Sequence, residues 1–167
     1  MVDLHDVWND KNIRKDLKMK LVRTLVWSAL LYGAESWTLR KADENRIMAA
    51  EMWFWRRMLN ISWKDKRTND SILQELNTSR ELLGKVVSLK TGYFGHVLRG
   101  SGSPLAAQII EGYVEGSRKR GRQKKQWFDN IKEWTGLTYR EAKRLAQDRR
   151  AWRAETKRAA CMVANRQ

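Results

Sequence analysis

The sequence predicts a mostly α-helical chain, and three observations carry that reading. Apolar residues recur at three- and four-residue spacing through most of its length, the period of one helix face. Capping signatures of the Thr-x-x-Glu type stand before two of those runs, at Thr78–Glu81 and Thr138–Glu141. A single proline among 167 residues leaves little to break a helix. With 42% hydrophobic residues and ten glycines the composition is globular, which excludes collagen-like, proline-rich and glycine/serine low-complexity classes.

The first helix is expected from about Asn12 to Tyr32, with Ile13, Leu17, Leu21, Leu25 and Ala29 along one face and Gly33 placed to end it. A short link, 34–40, leads to a second helix over about 42–60. Its buried side is Ile47, Met48, Met52, Trp55, Met58 and Leu59. Thr68 or Asn69 caps a short helix through Leu76. The Thr78–Glu81 box then opens a helix presenting Leu82, Val86, Leu89, Tyr93 and Val97 to the core. Its glycines at 84, 92 and 95 cost up to about 1 kcal/mol each against Ala, which implies close packing or a break near Gly92. Ser101-Gly-Ser-Pro104 is the clearest loop and divides the chain into residues 1–100 and a basic region, 101–167. Residues 109–116 allow one small β-hairpin. The next helix groups Trp127, Ile131 and Trp134 and stops at Gly136. The last, opened by the Thr138–Glu141 box, turns Leu145 and Trp152 inward and Arg144, Arg149, Arg150 and Arg153 outward.

Charge is distributed unevenly. Lys and Arg number 34 against 19 Asp and Glu, a net of +15, of which residues 1–83 hold +3 and residues 84–167 hold +12. Such asymmetry points to an anionic partner. Its densest point is Arg118, Lys119, Arg120, Arg122, Lys124 and Lys125, six basic residues in eight. Three readings of that tract stand open: a solvated charge run, a nuclear import signal, and contact with a nucleic-acid backbone. A membrane surface fits less well, because no apolar helical face adjoins the tract. The longest apolar stretch, Leu25–Ala34, is far short of the roughly 20 residues of a bilayer span, and no membrane partner is expected. The acidic start, Met1–Asp6, lacks the basic n-region of a secretory signal. A nuclear or cytoplasmic protein is expected, not a secreted one.

No catalytic constellation stands out. One cysteine, Cys161, with His5 and His96, falls short of a zinc knuckle, so neither a metal nor a cofactor is expected. Two-metal nucleotidyl transfer needs clustered carboxylates, and the chain has no Asp-Asp pair. Asp43-Glu44 suits a helix start, and Asp129 and Glu133, one turn apart, suit surface pairing with Lys125 and Lys132. The glycines at 112, 116 and 121 match no phosphate-cradling loop. By itself the chain is expected not to be an enzyme. Among its nine tryptophans, Trp27, Trp55, Trp134 and Trp152 read as core. Trp53, Trp63 and Trp127 sit at polar boundaries, where core filling and base stacking are equally good readings.

Five segments carry a resemblance. Leu21–Leu39 (LVRTLVWSALLYGAESWTL) and Glu51–Leu59 (EMWFWRRML) resemble the segment just after the palm of LINE-type, non-LTR retrotransposon reverse transcriptases, most closely the RTE-like endonuclease–reverse transcriptases. Tyr93–Arg99, Gly116–Gln123 with Trp127, and Leu145–Arg153 are similar to the C-terminal region of the same proteins. The resemblance implies a helical thumb-like bundle, followed by a basic helical region that binds nucleic acid during target-primed reverse transcription. The endonuclease, fingers and palm, with the paired catalytic aspartates, would precede the matched segments, so no polymerase or endonuclease role carries over to a residue here.

Nucleic acid (RNA, DNA or a hybrid) is therefore the expected partner. The expected contacts are Arg118, Lys119, Arg120, Arg122, Lys124, Lys125, Trp127, Arg149, Arg150 and Arg153. An apolar face around Leu21, Leu25, Trp27, Met52 and Trp55 is expected to dock on a palm or to self-associate. A repurposed stand-alone basic module, for nucleic acid or for protein interaction, is the alternative, and a relic without function is the third.

Overall fold

The computed structural model describes residues 5–10, 12–101, 104–111 and 125–165, and every regular element among them is helical. The chain divides into two compact units, Met1–Tyr32 with Lys41–Leu83, and Gly33–Arg40 with Gly84–Gln167. The step in net charge from +3 to +12 falls at the same place, Leu83. Ser101 and Pro104 both belong to the second unit, and the two residues between them lie outside the described ones.

Unit 1 contains α1 (His5–Asn9), α2 (Lys15–Leu21), α3 (Trp27–Leu30), α4 (Lys41–Met58) and α5 (Asn69–Glu75). Residues Val22–Val26 between α2 and α3 form a π-helical turn, which corrects the expected face. Burial steps from Lys18 to Val22 to Trp27, spacings of four and then five, because the wide turn takes in one extra residue. After the turn the regular four-residue stripe is thereby rotated out, leaving Leu25 51% exposed; before it, Leu17 is 50% exposed because the buried side there is Lys18 and Met19. Gly33 does end this stretch, in the left-handed conformation (φ 69°) that a side chain would disfavour. Trp27 and Trp55 meet edge to face, ring centroids 5.3 Å apart, and Met52 and Met58 close the core beside them. Trp27, Met52 and Trp55 are thus covered by their own unit, and of the face expected to dock, Leu25 is exposed and Leu21 half-buried. Thr68 caps α5 as expected, its hydroxyl accepting from the Ser71 N–H.

The Thr78–Glu81 box does not form. The helix begins later, at α6 (Leu82–His96), and its first N–H groups are held from a distance. The buried Glu51 carboxylate accepts from the Glu81 N–H at 2.8 Å and the Leu82 N–H at 3.2 Å. Burial pushes the Glu51 carboxyl above its ordinary value, and the two N–H donors counter part of that rise. Thr78 instead takes a hydrogen bond from Arg23, whose guanidinium pairs with Glu81 and lies over the Trp55 ring.

Unit 2 comprises the segment Gly33–Arg40, α6 from Gly84 onward, α7 (Pro104–Glu111), α8 (Trp127–Thr135), α9 (Tyr139–Gln147) and α10 (Arg149–Ala164). Helix α7 occupies 109–111, so the expected hairpin is not formed there, and 112–116 lie outside the described residues. Phe94 is the hub of the core, with Trp127, Phe128, Tyr139 and Trp152 around its ring. Leu89 and Tyr93, expected inside, are 42% and 37% exposed, because the buried face runs Val86–Val87–Lys90–Phe94 instead. The Thr138–Glu141 capping box forms as expected, and Asp148 caps α10 through the Arg150 and Ala151 N–H groups.

No break occurs at Gly92; α6 runs past it, and the backbone first leaves helical angles at Gly100. Close packing holds at the other two glycines. A Cβ on Gly84 would sit 3.0 Å from the Ala160 carbonyl oxygen, and one on Gly95 would sit 2.4 Å from Cδ1 of Trp152. The Trp152 indole cannot retreat without giving up its hydrogen bond to the Thr91 carbonyl at 2.8 Å. Gly95→Ala is expected to destabilise unit 2 by about 1–3 kcal/mol. Gly92→Ala, with open space around it, should be neutral or stabilise by up to about 1 kcal/mol. Urea denaturation of the two variants tests this pair of expectations, and equal midpoints would contradict it.

Candidate nucleic-acid interface

The first two turns of α10 set three arginines, Arg149, Arg150 and Arg153, on an exposed surface. Cations at a helix N-terminus oppose the helix dipole, so local helix stability is not what placed them there. Arg149 and Arg153, one turn apart, share a cleft with Arg99, Trp152 and Thr156. Arg150 is a step of about 100° around the helix and does not line it. Arg99 reaches the cleft from the π-helical end of α6, anchored by its guanidinium donating to the Ala146 carbonyl at 2.7 Å. Among the described residues no carboxylate lines the cleft, so three guanidiniums gather positive charge there. The Thr156 hydroxyl is buried beside them with no hydrogen-bond partner. Chemically the cleft suits an anion with several oxygens, since guanidinium forks match phosphate geometry.

The remaining expected contacts behave differently. Arg118, Lys119, Arg120, Arg122 and Lys124 lie outside the described residues. Lys125 is half-buried and its ammonium pairs with Glu133 at 2.6 Å, the surface pairing expected from their spacing. Trp127 is half-buried and committed within its unit. Its indole N–H donates to the Glu35 carbonyl at 2.8 Å, its ring stacks on Phe94, and the Lys90 ammonium lies 4.6 Å from its centroid. Those contacts favour the packing role for Trp127 over base stacking.

Two buried polar residues were missed by sequence reasoning. Lys90 and Asn130, both fully buried, hold the extended segment before α4. The Lys90 ammonium donates to the Trp37 carbonyl and to Oδ1 of Asn130, while Asn130 exchanges a pair of 2.8 Å bonds with the Leu39 backbone. Carbonyls two apart in an extended segment face the same way, which is why one helical surface takes both 37 and 39. The signal was present in the spacing: Lys90 lies four residues from Val86 and from Phe94, and Asn130 four from Trp134.

Comparison with known proteins gives a likeness. The chain is 27% identical, over 157 residues covering 86% of its length, to a transposon-derived protein of Caenorhabditis elegans. It spans 55% of that protein, about half its length. That likeness fits a transposon-related origin. No family model and no solved structure matches the chain. Among the described residues no helix is long and apolar enough to cross a membrane, and no group of His, Cys, Asp and Glu is placed to hold a metal ion.

Proposed function

We propose that this chain is the non-catalytic thumb and C-terminal nucleic-acid-binding part of a retrotransposon reverse transcriptase, gripping nucleic acid through its phosphates. The observation that carries the reading is the cleft of Arg99, Arg149 and Arg153, which among the described residues lacks a carboxylate and belongs to the unit rich in positive charge. The transposon-derived relative and the LINE-like segments support the retrotransposon half of the reading. Polymerase and endonuclease chemistry then belongs to parts of the enzyme that this chain does not contain. Pure protein should extend no primer on an RNA template with Mg²⁺ or Mn²⁺, and extension above contaminant controls would overturn that part. The exposed Leu17 and Leu25 are the surface on which a palm would seat.

Counterion release makes the binding claim measurable. Each phosphate neutralised by Lys or Arg contributes about −0.9 to the log–log salt slope on duplex DNA. Fluorescence anisotropy at several salt concentrations should give a slope that falls by roughly 5 when Arg118, Lys119, Arg120, Arg122, Lys124 and Lys125 are all changed to Ser. Arg149→Ser with Arg153→Ser should lower it by about 2 more. Equal slopes for all three proteins would leave the tract a solvated run or an import signal.

A stand-alone binding module is the second reading, favoured because each unit has a buried core of its own. A palm-encoding frame directly upstream of the gene favours the enzyme, and an isolated gene with its own promoter favours the module.

A further inference from the structure

Helix α4 presents an aromatic residue that the core of unit 1 does not use. Trp55 is fully buried, whereas Trp53, two positions earlier, is 53% exposed and lines a pocket together with Met48 and Met52. Two arginines complete it. The Arg56 guanidinium is fixed by donating to Oδ1 of Asn69 and to the Arg67 carbonyl, both at 2.8 Å and both neutral acceptors. Among the described residues Arg80 approaches only the Met48 sulfur, at 3.7 Å, a weak acceptor. No carboxylate of the described residues lines the pocket, so two cations stand beside a half-exposed indole whose ring meets Phe54 edge to face, centroids 5.1 Å apart.

The complementary ligand is a flat aromatic ring that carries an anion. A nucleotide has both parts: the base fits against the indole, and the phosphate fits the Arg80 fork. A base inside a duplex offers only its edges, so the pocket selects an unpaired one. The geometry points to a binding site for a single unpaired nucleotide in unit 1, with its base on Trp53 and its phosphate on Arg80. This rests on the reading of the chain as a nucleic-acid binder, and it adds a preference for single strands that the arginine cleft of unit 2 does not supply. An acidic, aromatic peptide carries the same two groups and is the competing ligand in the test.

The test uses the full chain with two probes: a single-stranded RNA oligonucleotide bearing one thiouridine, and a duplex of the same length. Irradiation followed by peptide mapping should place the single-strand adduct on α4 at Trp53. Trp53→Ala should weaken single-strand binding by about 5- to 100-fold while duplex affinity stays within about twofold, and Trp53→Phe should restore most of the loss. Arg80→Gln should weaken single-strand binding too. Thermal unfolding of each variant checks that the fold is intact, which is expected for a half-exposed Trp53. Adducts confined to residues 84–167, with Trp53→Ala binding single strands as the natural chain does, would overturn the pocket and leave the unit 2 reading standing. Failure of the natural chain to bind either probe would overturn both. Loss of binding to a tyrosine-rich acidic peptide in Trp53→Ala, with single-strand binding unchanged, would overturn the pocket in favour of a protein ligand.

Discussion

Asn130→Ala is expected to destabilise unit 2 by about 3–5 kcal/mol, because it strands the buried Leu39 N–H and carbonyl and takes one of two acceptors from the Lys90 ammonium. The Asn130 side chain accepts from the Leu39 N–H and the Lys90 ammonium and donates to the Leu39 carbonyl, at 2.8, 3.0 and 2.8 Å. Leu39 and Lys90 are themselves buried, so water cannot replace those bonds without opening the unit. A buried group left unpaired costs about 1–3 kcal/mol, and partial relaxation keeps the total below the sum of three. Asn130→Asp keeps the two acceptor functions but has nothing to offer the Leu39 carbonyl, so it should fall between the natural chain and the alanine variant. Denaturation gives the energy, and hydrogen exchange at the Leu39 amide locates it: protection there should collapse in Asn130→Ala. A cost under about 1 kcal/mol with that amide still protected would mean that the segment is held elsewhere.

How much of this was legible in advance depended on how far each cause reaches along the chain. The extent of α4, the Thr68 cap, the Thr138–Glu141 box and the stop at Gly33 were readable because cap, turn and period all act within a few residues. The face of the first helix was misread beyond Val22 because one extra residue in the Val22–Val26 turn shifts the phase of everything after it, and before it because Lys18 and Met19 rather than Leu17 face inward. The start of α6 was misread for another reason. Thr78 and Glu81 carry the local signature, but Glu51, thirty positions earlier, takes the N–H groups, and no window on the sequence contains that pairing.

The site divides the same way. That Arg149 and Arg153 face outward follows from the period of α10, with Trp152 and Ala159 turned inward. That Arg99 joins them does not follow, since the Ala146 carbonyl that anchors it is 47 residues away. Trp127 shows the limit most clearly. At a polar boundary beside basic residues, stacking and packing were equal readings, and distant partners, Phe94, Lys90 and the Glu35 carbonyl 92 residues away, tip the balance toward packing.

Stability should rise with pH between about 7 and 10, and Lys90→Met should abolish most of that rise. Burial drives the Lys90 ammonium down to about 7 from 10.5, with Lys125 pressing the same way and Asp129 and Glu133 opposing. In the unfolded chain the same group keeps its proton up to its ordinary value. Between the two values the unfolded state therefore holds the extra proton, and stability increases with pH at up to about 1.4 kcal/mol per unit. Below about 7 both states are protonated, and the folded state bears the full cost of a buried ammonium. Deprotonation does not cost Lys90 its partners. A neutral amine still has two N–H groups, enough for the Trp37 carbonyl and Oδ1 of Asn130. Methionine fills a similar volume between Trp127 and Trp134 but can donate to neither acceptor. At pH 6.5 the variant should therefore be nearly as stable as the natural chain, since losing two hydrogen bonds is offset by losing a buried charge. By pH 9.5 the natural chain should lead by about 3–4 kcal/mol. Urea midpoints measured at half-unit steps for both proteins give the two curves, and parallel curves would show that Lys90 stays protonated in the fold, held by its two acceptors and the faces of the two indoles.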